Sequence, residues 1–380
     1  MTRKDVARQA FEAVYDQLRE ISRWMYENPE LAYQEHRSSE RLSSFLAGHG
    51  FQVTYPAYGL ETAFEATVGS SGPRVVICCE YDALPEVGHA CGHNVIATAA
   101  IGAGIALAGL AGELGIRVTV LGTPAEEAGG GKVDLIAAGA FEDAACSMMV
   151  HPSWKADVID PRFLAIQSYI VEYHGREAHA AGAPQQGINA LDAFVQAYNN
   201  VATLRQQMLP TDRVHCVITH GGGAANVIPG YTRSQWMIRA TTKERLDVLV
   251  EKVRACFEAA ALATGCTVEI TPDAHPYTDL RTNPVMAELY MANSEALGRK
   301  MLRLEELEDQ SSGSTDMGNV SHVVPAIHPM IRVESEFSNH HPGFAAATIT
   351  PSGDRAIYDG ALSMAWTIID MAEQDAWGKL

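Results

Sequence analysis

The chain has 380 residues, of which 47% are hydrophobic and 19% charged, so it is long enough for two globular domains with sizeable cores. Its 46 acidic side chains outnumber 28 Lys and Arg, and the formal net charge of −18 argues against nucleic acid or an anionic membrane as a partner. No stretch reaches the roughly 20 apolar residues of a membrane span, and no apolar core follows the charged start as in a secretory signal. The seven cysteines are irregularly spaced and do not suggest disulfides, so we expect a cytoplasmic protein.

Helix-like and strand-like segments alternate over the first 150 residues. Apolar side chains at helical spacing predict helices over 5–27, 37–48, 94–111 and 133–138. Short runs rich in β-branched residues predict strands over 51–55, 62–68, 74–79, 117–121 and 146–150. This alternation favours the α/β class, with a mostly parallel mixed sheet and helices on both faces.

The middle of the chain has a different pattern. The predicted order is strand 163–173, helix 188–207, strands 213–219 and 231–240, helix 243–263 and strand 267–271. This strand-helix-strand-strand-helix-strand order is that of a ferredoxin-like α+β unit. Helices predicted at 284–297 and 352–373, with a Gly/Ser/Thr loop predicted at 311–319 between them, then return to the first pattern. We therefore expect a discontinuous catalytic domain, 1–163 and 275–380, with an inserted lid or dimerisation domain at 164–274.

A loop rich in potential metal ligands follows the strand predicted at 74–79. It contains Asp82, His89, Cys91 and His93. Loops beyond the carboxyl ends of strands form the ligand crevice of an open α/β sheet. Thiolate and imidazole are suitable ligands for a divalent metal, although a Gly-rich turn with incidental histidines is an alternative.

Further donors follow other strands. Glu126 and Glu127 come after the strand predicted at 117–121, and adjacent side chains in extended backbone point in opposite directions. One can therefore bind metal while the other takes the proton of a metal-bound water, unless the pair is only a solvated acidic turn. His151 follows the next strand, and His340 lies in the returning segment.

The complete predicted ligand set is Cys91, His93, Glu127, His151 and His340. Five ligands exceed the three of a typical mononuclear catalytic zinc site and suit two divalent ions. Zinc or manganese is expected, and cobalt also accepts such ligands.

The inserted segment has its own polar candidates. His179 lies in a turn of small residues, Asn226 ends a Gly-rich loop, and Arg239 follows in the next strand. Such donors suit an oxyanion or a carboxylate, although an ordinary turn and hairpin would look similar.

Several separated motifs together resemble one known family. Residues 28–31, 80–94, 313–325 and the Asn339-His340 step resemble the co-catalytic-metal amidohydrolases and peptidases that include aminoacylases, glutamate carboxypeptidases and auxin-conjugate amidohydrolases. The chain is most similar to the p-aminobenzoyl-glutamate hydrolase and β-alanyl-lysine dipeptidase type, and the resemblance spans nearly the whole chain.

The resemblance implies roles for individual residues. Cys91 takes the place of the bridging ligand, Glu126 that of the general base, and Asp82 that of an acid that orients a ligand. His179 matches an oxyanion donor, and Asn226 and Arg239 match contacts to the substrate carboxylate. Family members often dimerise through the inserted domain, so a homodimer is implied, with His179 and Asn226 available to the partner's site.

The chain also departs from many relatives. Glu80 and Asn94 replace other residue types, and 313–318 differs from the usual Glu-Asp-Phe step. In that loop, Asp316 would bind a cationic group of the substrate or cap a helix. His340 rather than His341 fits the spacing His-x-Pro-x-Phe.

The resulting expectation is a metal-dependent amidohydrolase that cleaves the amide bond of a small N-acyl or aminoacyl amino acid or dipeptide. The alternatives are an aminohydrolase acting on an aryl amine or a carbamate, and an inactive metal-binding protein with the same fold.

Overall fold

The computed structural model describes residues 1–307 and 313–380, which divide into two compact units. The main unit comprises Met1–Arg162 and Leu280–Leu380, and the inserted unit is Phe163–Asp279. The sequence predicted 164–274 for the insertion. The difference at its end has a local cause, because Tyr277 pairs with Ile166 and the Asp279 carboxylate accepts the Lys243 amide at 2.7 Å.

The main unit begins with an alternation of helices and strands. Its helices up to residue 162 are α1 (Arg3–Glu12), α2 (Tyr15–Glu27), α3 (His36–Ala47), α4 (His93–Ala108), α5 (Ala111–Leu114) and α6 (Gly131–Ala137). Its strands there are β1 (Gln52–Thr54), β2 (Phe64–Val68), β3 (Arg74–Cys79), β4 (Arg117–Gly122), β5 (Ala144–Met148), β6 (His151–Ser153) and β7 (Asp157–Val158).

The inserted unit has four strands and two long helices. In chain order they are β8 (Ala165–His174), α7 (Ala190–Leu204), β9 (Arg213–His220), β10 (Tyr231–Ala240), α8 (Lys243–Thr264) and β11 (Thr267–Pro272). The strands form one antiparallel sheet in the order β11-β8-β10-β9, which is the ferredoxin-like arrangement predicted. Strand β9 therefore lies at an edge of this sheet.

The chain then returns to the main unit. The remaining elements are α9 (Pro284–Ala296), β12 (Met301–Leu302), α10 (Met317–Ser321), β13 (Ala326–Ile327), β14 (Met330–Arg332), α11 (Pro342–Ala347) and α12 (Pro351–Glu373). Part of the loop predicted at 311–319 falls on residues 311 and 312, which lie outside the described residues.

A six-stranded mixed sheet organises the main unit. Its order is β1-β2-β4-β3-β5-β13, and β4, β3, β5 and β13 run parallel to one another. Their carboxyl ends therefore meet at one edge, which is where ligands bind in open α/β sheets. A smaller sheet has the order β12-β7-β14-β6, and its strands β6 and β14 follow β5 and β13 in the chain.

Strand β3 is buried on both faces because helices cover both sides of the sheet. Val75, Ile77 and Cys79 belong to one core cluster, which includes residues of α1, α2, α4 and α12. Val76 and Cys78 point to the other face, into a cluster that includes residues of α6 and α10. The α/β fold class predicted from the sequence is thus confirmed.

One predicted helix is divided in two. The segment 5–27 forms α1 and α2, with a break at Ala13 and Val14. Val14 is buried and has φ −117° and ψ −2°, which an uninterrupted helix does not adopt. Apolar spacing continues through the break, so periodicity alone did not reveal it.

Within the described ranges, none of the helices is both long enough and apolar enough to cross a bilayer. The cytoplasmic location stays a prediction.

Candidate metal centre

The predicted ligands follow the carboxyl ends of parallel strands in the main unit. Strand β3 leads to the loop with Cys91 and to His93, the first residue of α4. Strand β4 leads to Glu126 and Glu127, and β5 is followed closely by His151. Since these strands run side by side, side chains far apart in sequence arrive at one edge of the sheet.

Asp82 links two of these loops. Its Oδ1 lies 3.0 Å from His93 Nδ1, and its Oδ2 accepts the Glu127 backbone N–H at 2.9 Å. A carboxylate on Nδ1 orients the imidazole and leaves Nε2 for a metal. The hydrogen bonds and the charge of His93 hold the pKa of Asp82 below its usual range, although burial opposes this. The orienting role predicted for Asp82 accordingly has a geometric basis.

Cys91 and His151 approach each other across the loops. Cys91 Sγ is 3.4 Å from His151 Nε2, and His151 Nδ1 lies 2.8 Å from the Pro152 carbonyl oxygen. Because a carbonyl only accepts, Nδ1 carries the proton and Nε2 has a free lone pair. Burial lowers the pKa of His151 to about 4, so the imidazole is neutral at physiological pH. A neutral imidazole is the form that binds metal.

His340 approaches Glu127 from the returning segment. His340 Nε2 is 3.6 Å from Glu127 Oε1, and the His340 backbone N–H donates to the Ala90 carbonyl at 2.8 Å. His341 instead caps α11 by accepting the Gly343 N–H at 3.0 Å, and its ring stacks on Phe337. The geometry therefore favours His340 over His341 as the ligand.

Two groups of possible ligand atoms correspond to the predicted set. In the groups Cys91–His93–His151 and Cys91–Glu127–His340, the ligand atoms lie within 4.8 Å of one another. Cys91 belongs to both groups. His93 Nε2 and Glu127 Oε1 are buried and have no hydrogen-bond partner. This combination of sulfur, nitrogen and oxygen donors, two of them without a hydrogen-bond partner, fits a pair of divalent cations that share one ligand.

Glu126 lies beside these groups in a strongly negative environment. Its Oε2 is 3.9 Å from His93 Nε2, and its side chain is buried. Burial and the neighbouring charges of Glu80, Glu127 and Asp316 raise the pKa of Glu126 well above its usual range. A carboxylate with a raised pKa can accept a proton from water and hold it.

Glu35 holds the loop that carries Glu126. Its Oε1 accepts the Ala125 N–H at 3.0 Å and the Tyr33 N–H at 3.0 Å, and the residue is fully buried. Ala125 has φ +61°, an uncommon conformation for a residue with a side chain. The amides on both sides of Glu126 are thus held by carboxylates, Glu35 at Ala125 and Asp82 at Glu127. The sequence analysis did not single out Glu35.

Asp316 has a different environment from the one predicted. Its carboxylate is fully buried and accepts Lys132 Nζ at 2.7 Å and the Lys132 backbone N–H at 3.0 Å. It immediately precedes α10, but its side chain makes no capping bond there. The structure therefore rules out the helix cap, because the carboxylate instead neutralises a buried ammonium group. The contact with a cationic group of the substrate stays a prediction.

His328 is a further residue that the sequence analysis missed. It follows β13 and is fully buried, and its ring centroid lies 5.3 Å from that of His151 in an edge-on arrangement. The His328-Pro329 step repeats His151-Pro152, and each follows a parallel strand. This repeated His-Pro step after a strand is the sequence signal that could have identified His328.

The inserted unit brings two of its three candidates together. The Ala180 N–H donates to the Asn226 carbonyl at 3.0 Å, and His179 and Asn226 are both exposed. His179 Nδ1 accepts the N–H groups of Ala181 and Gly182 at 3.2 and 3.0 Å. Arg239 is near the other end of β10, about 27 Å from Tyr231 at roughly 3.4 Å per residue.

Known proteins are similar to this chain in sequence. Residues 165–265 match the peptidase dimerisation domain. The chain is 42% identical to Xaa-Arg dipeptidases of Mus musculus and Homo sapiens, over 94% of its own length and 86% of theirs. It is 32% identical to a subunit of the p-aminobenzoyl-glutamate hydrolase of Escherichia coli, over 75% of its length and 63% of that protein.

Solved structures show the same fold. A dinuclear metal-binding peptidase of the M20 family from Bacillus subtilis superposes with a TM-score of 0.75 at 21% identity, covering 95% of this chain and 99% of that one. An aminobenzoyl-glutamate utilization protein from Klebsiella pneumoniae gives 0.72 at 18% identity, with 92% and 97% covered.

The fold, the clustered donors and the relatives define a metal-dependent hydrolase of amide bonds in small N-acyl amino acids or dipeptides. The chain belongs to the M20 peptidase family and carries its dimerisation domain. The predicted class of enzyme and the family resemblance are both confirmed.

Proposed function

We propose that this enzyme is a dipeptidase for dipeptides with a basic C-terminal residue, acting with two divalent cations. The observation that carries the catalytic part is the convergence of Cys91, His93, Glu127, His151 and His340 beside Glu126. The identity of 42% to Xaa-Arg dipeptidases supports the substrate class. The net charge of −18 also favours a cationic substrate, since an acidic surface attracts cations.

Bound cations would polarise the amide carbonyl and lower the pKa of a water molecule. Zinc or manganese fits the mixed donors, and the thiol of Cys91 favours zinc. Glu126 removes a proton from the attacking water and later delivers it to the leaving amine. Asp82 keeps His93 and the Glu127 backbone in place during this cycle.

His179 is the proposed oxyanion donor. Because its Nδ1 accepts two backbone N–H groups, the proton of the neutral ring is on Nε2. Nε2 can therefore donate to the oxygen that becomes negative as the tetrahedral intermediate forms.

Asn226 and Arg239 are the proposed carboxylate contacts. The length of β10 separates them within one inserted unit. We infer that the two residues serve different active sites of a homodimer, with His179 and Asn226 acting in the partner's site.

The first test is a screen of purified protein with added zinc or manganese. The substrates are dipeptides ending in Arg or Lys, β-alanyl dipeptides, p-aminobenzoyl-glutamate and N-acetyl amino acids, with aryl amines and carbamates as alternatives. We expect the basic dipeptides to give the highest kcat/KM. A preference for p-aminobenzoyl-glutamate or for a carbamate would contradict the proposed substrate class.

Glu126→Gln tests the chemical step. The amide cannot accept the proton of water, so we expect kcat to fall by about 10²–10⁴ while both metals stay bound. Metal content by mass spectrometry and turnover of an Arg dipeptide are measured together. Near-normal kcat would remove Glu126 from the mechanism.

A further inference from the structure

A sixth potential donor lies at the edge of the predicted metal centre. Glu80 directly follows β3 and is fully buried. Its Oε1 accepts Lys132 Nζ at 2.5 Å, whereas its Oε2 has no hydrogen-bond partner. One oxygen of this carboxylate is therefore held in place, and the other is available.

The available oxygen faces a predicted metal ligand. Glu80 Oε2 lies 3.5 Å from His93 Nε2, which is likewise buried and without a hydrogen-bond partner. Glu80, His93 and Glu126 form a third group whose ligand atoms lie within 4.8 Å of one another. His93 Nε2 is thus shared between this group and the group with Cys91 and His151.

The charges around Glu80 favour a bound cation. Lys132 is fully buried, and its ammonium group also contacts the buried Asp316 at 2.7 Å. Two carboxylates and one ammonium leave a net negative charge before Glu126 is counted. Burying such a charge without compensation is costly, so a cation at His93 Nε2 would stabilise Glu80 as well.

We propose that Glu80 is a direct ligand of the cation bound by His93, in addition to the five donors predicted from the sequence. The inference rests on the metal centre of the proposed function. Lys132 holds Glu80 by its other oxygen and so orients Oε2. A carboxylate oxygen makes the site harder, and the site therefore accepts Mn²⁺ better than sulfur and nitrogen donors alone would.

Metal binding tests the role of Glu80 without relying on activity. Metal-free wild type, Glu80→Gln and Asp316→Asn are titrated with Mn²⁺, and bound metal is measured by mass spectrometry. The two variants are matched, because each removes one of the two charges that Lys132 contacts. We expect Glu80→Gln to lose affinity by about tenfold or more and Asp316→Asn to stay within about threefold of wild type.

The outcomes separate the inference from the proposed function. Equal losses in both variants would mean that Glu80 only neutralises Lys132, which would overturn the inference. Normal Mn²⁺ binding by Glu80→Gln would overturn it too, while leaving the metal centre intact. A wild type that binds no divalent cation would contradict the proposed function itself.

A second measurement avoids the risk that Glu80→Gln does not fold. Wild-type crystals soaked in Mn²⁺ locate the cation by anomalous scattering. We expect Glu80 Oε2 within about 2.0–2.3 Å of a manganese ion. If the nearest manganese ion lies more than about 3.5 Å from Glu80 Oε2, a water molecule can stand between them, and the inference would be overturned.

Discussion

Glu35 shows how one buried carboxylate affects both stability and the catalytic loop. Burial and the charge of Asp82 raise its pKa from the ordinary 4.5 to about 7. The folded protein therefore binds the proton of the Glu35 carboxyl more tightly than the unfolded chain does. The contribution of this group to the free energy of unfolding is fully present below pH 4.5. It is lost as the pH rises through 7.

Glu35→Gln should weaken the dependence of the free energy of unfolding on pH in this range. An amide does not titrate, so we expect the free energy of unfolding of the metal-free variant to decline less than that of wild type between about pH 4.5 and 7. Urea unfolding in a chelator at several pH values measures this. Glu30→Gln is the control, because Glu30 accepts from Ser38 and Arg37 and does not hold the catalytic loop. Parallel curves for wild type and Glu35→Gln would contradict the assignment.

At the scale of elements, the start of α4 depends on Gly92, which separates Cys91 from His93. Gly92 has φ +88°, and an added Cβ would lie 2.8 Å from Pro152 Cγ. Only glycine adopts this conformation readily, and the close approach joins the Cys91 loop to the His151 loop.

Gly92→Ala should therefore destabilise the junction of these two loops. We expect the free energy of unfolding to fall by about 1–3 kcal/mol because of the unusual φ and the contact with Pro152. We also expect weaker metal binding. Thermal unfolding and a zinc titration measure the two effects. Gly109→Ala at the other end of α4 is the matched control, because its φ is −72° and its Cβ would meet no atom within 4 Å. Equal midpoints for the two variants would contradict the argument.

At the scale of the whole molecule, the edge strand β9 and the neighbouring α7 expose apolar side chains. They are Val195, Tyr198, Val217 and Ile218, each 41–53% exposed. An apolar edge strand is a common site of pairing between chains, and it lies within the matched dimerisation domain. We predict that the interface of the proposed homodimer lies on this surface.

Ile218→Lys should convert the dimer to a monomer, since it places a charge in the apolar interface. Light scattering after size-exclusion chromatography gives the molar mass. Leu262→Lys is the control, because Leu262 is 87% exposed on α8 and outside the proposed interface. If the Ile218→Lys variant stays dimeric and the Leu262→Lys variant becomes monomeric, the interface lies on α8 and the prediction is wrong.

Mixed dimers test whether His179 acts in the partner's site. Glu126→Gln and His179→Ala are each expected to be nearly inactive. When the two variants are refolded together, half of the dimers contain one chain of each kind. If His179 acts across the interface, one of the two sites in such a dimer contains both Glu126 and His179. We expect roughly a quarter of wild-type kcat to return, measured on an Arg dipeptide. No recovery would place His179 in its own chain's site.

The amino-acid sequence was enough to predict the α/β class, the ferredoxin-like order of the insertion and the positions of donor residues after strands. These features depend on local periodicity and on the order of elements, which a sequence displays directly. It did not reveal the break at Val14, because apolar spacing continues across it.

The tertiary structure alone decided which side chains meet. Cys91, Glu127 and His340 converge because β3 and β4 are parallel and the returning segment comes back to their carboxyl ends. Asp316 and Lys132 are 184 positions apart, so no local pattern shows that they pair. The roles of Glu35, Glu80 and Asp316 follow from burial, since a carboxylate removed from water must find a hydrogen bond or a cation, and only the folded chain shows which one is near.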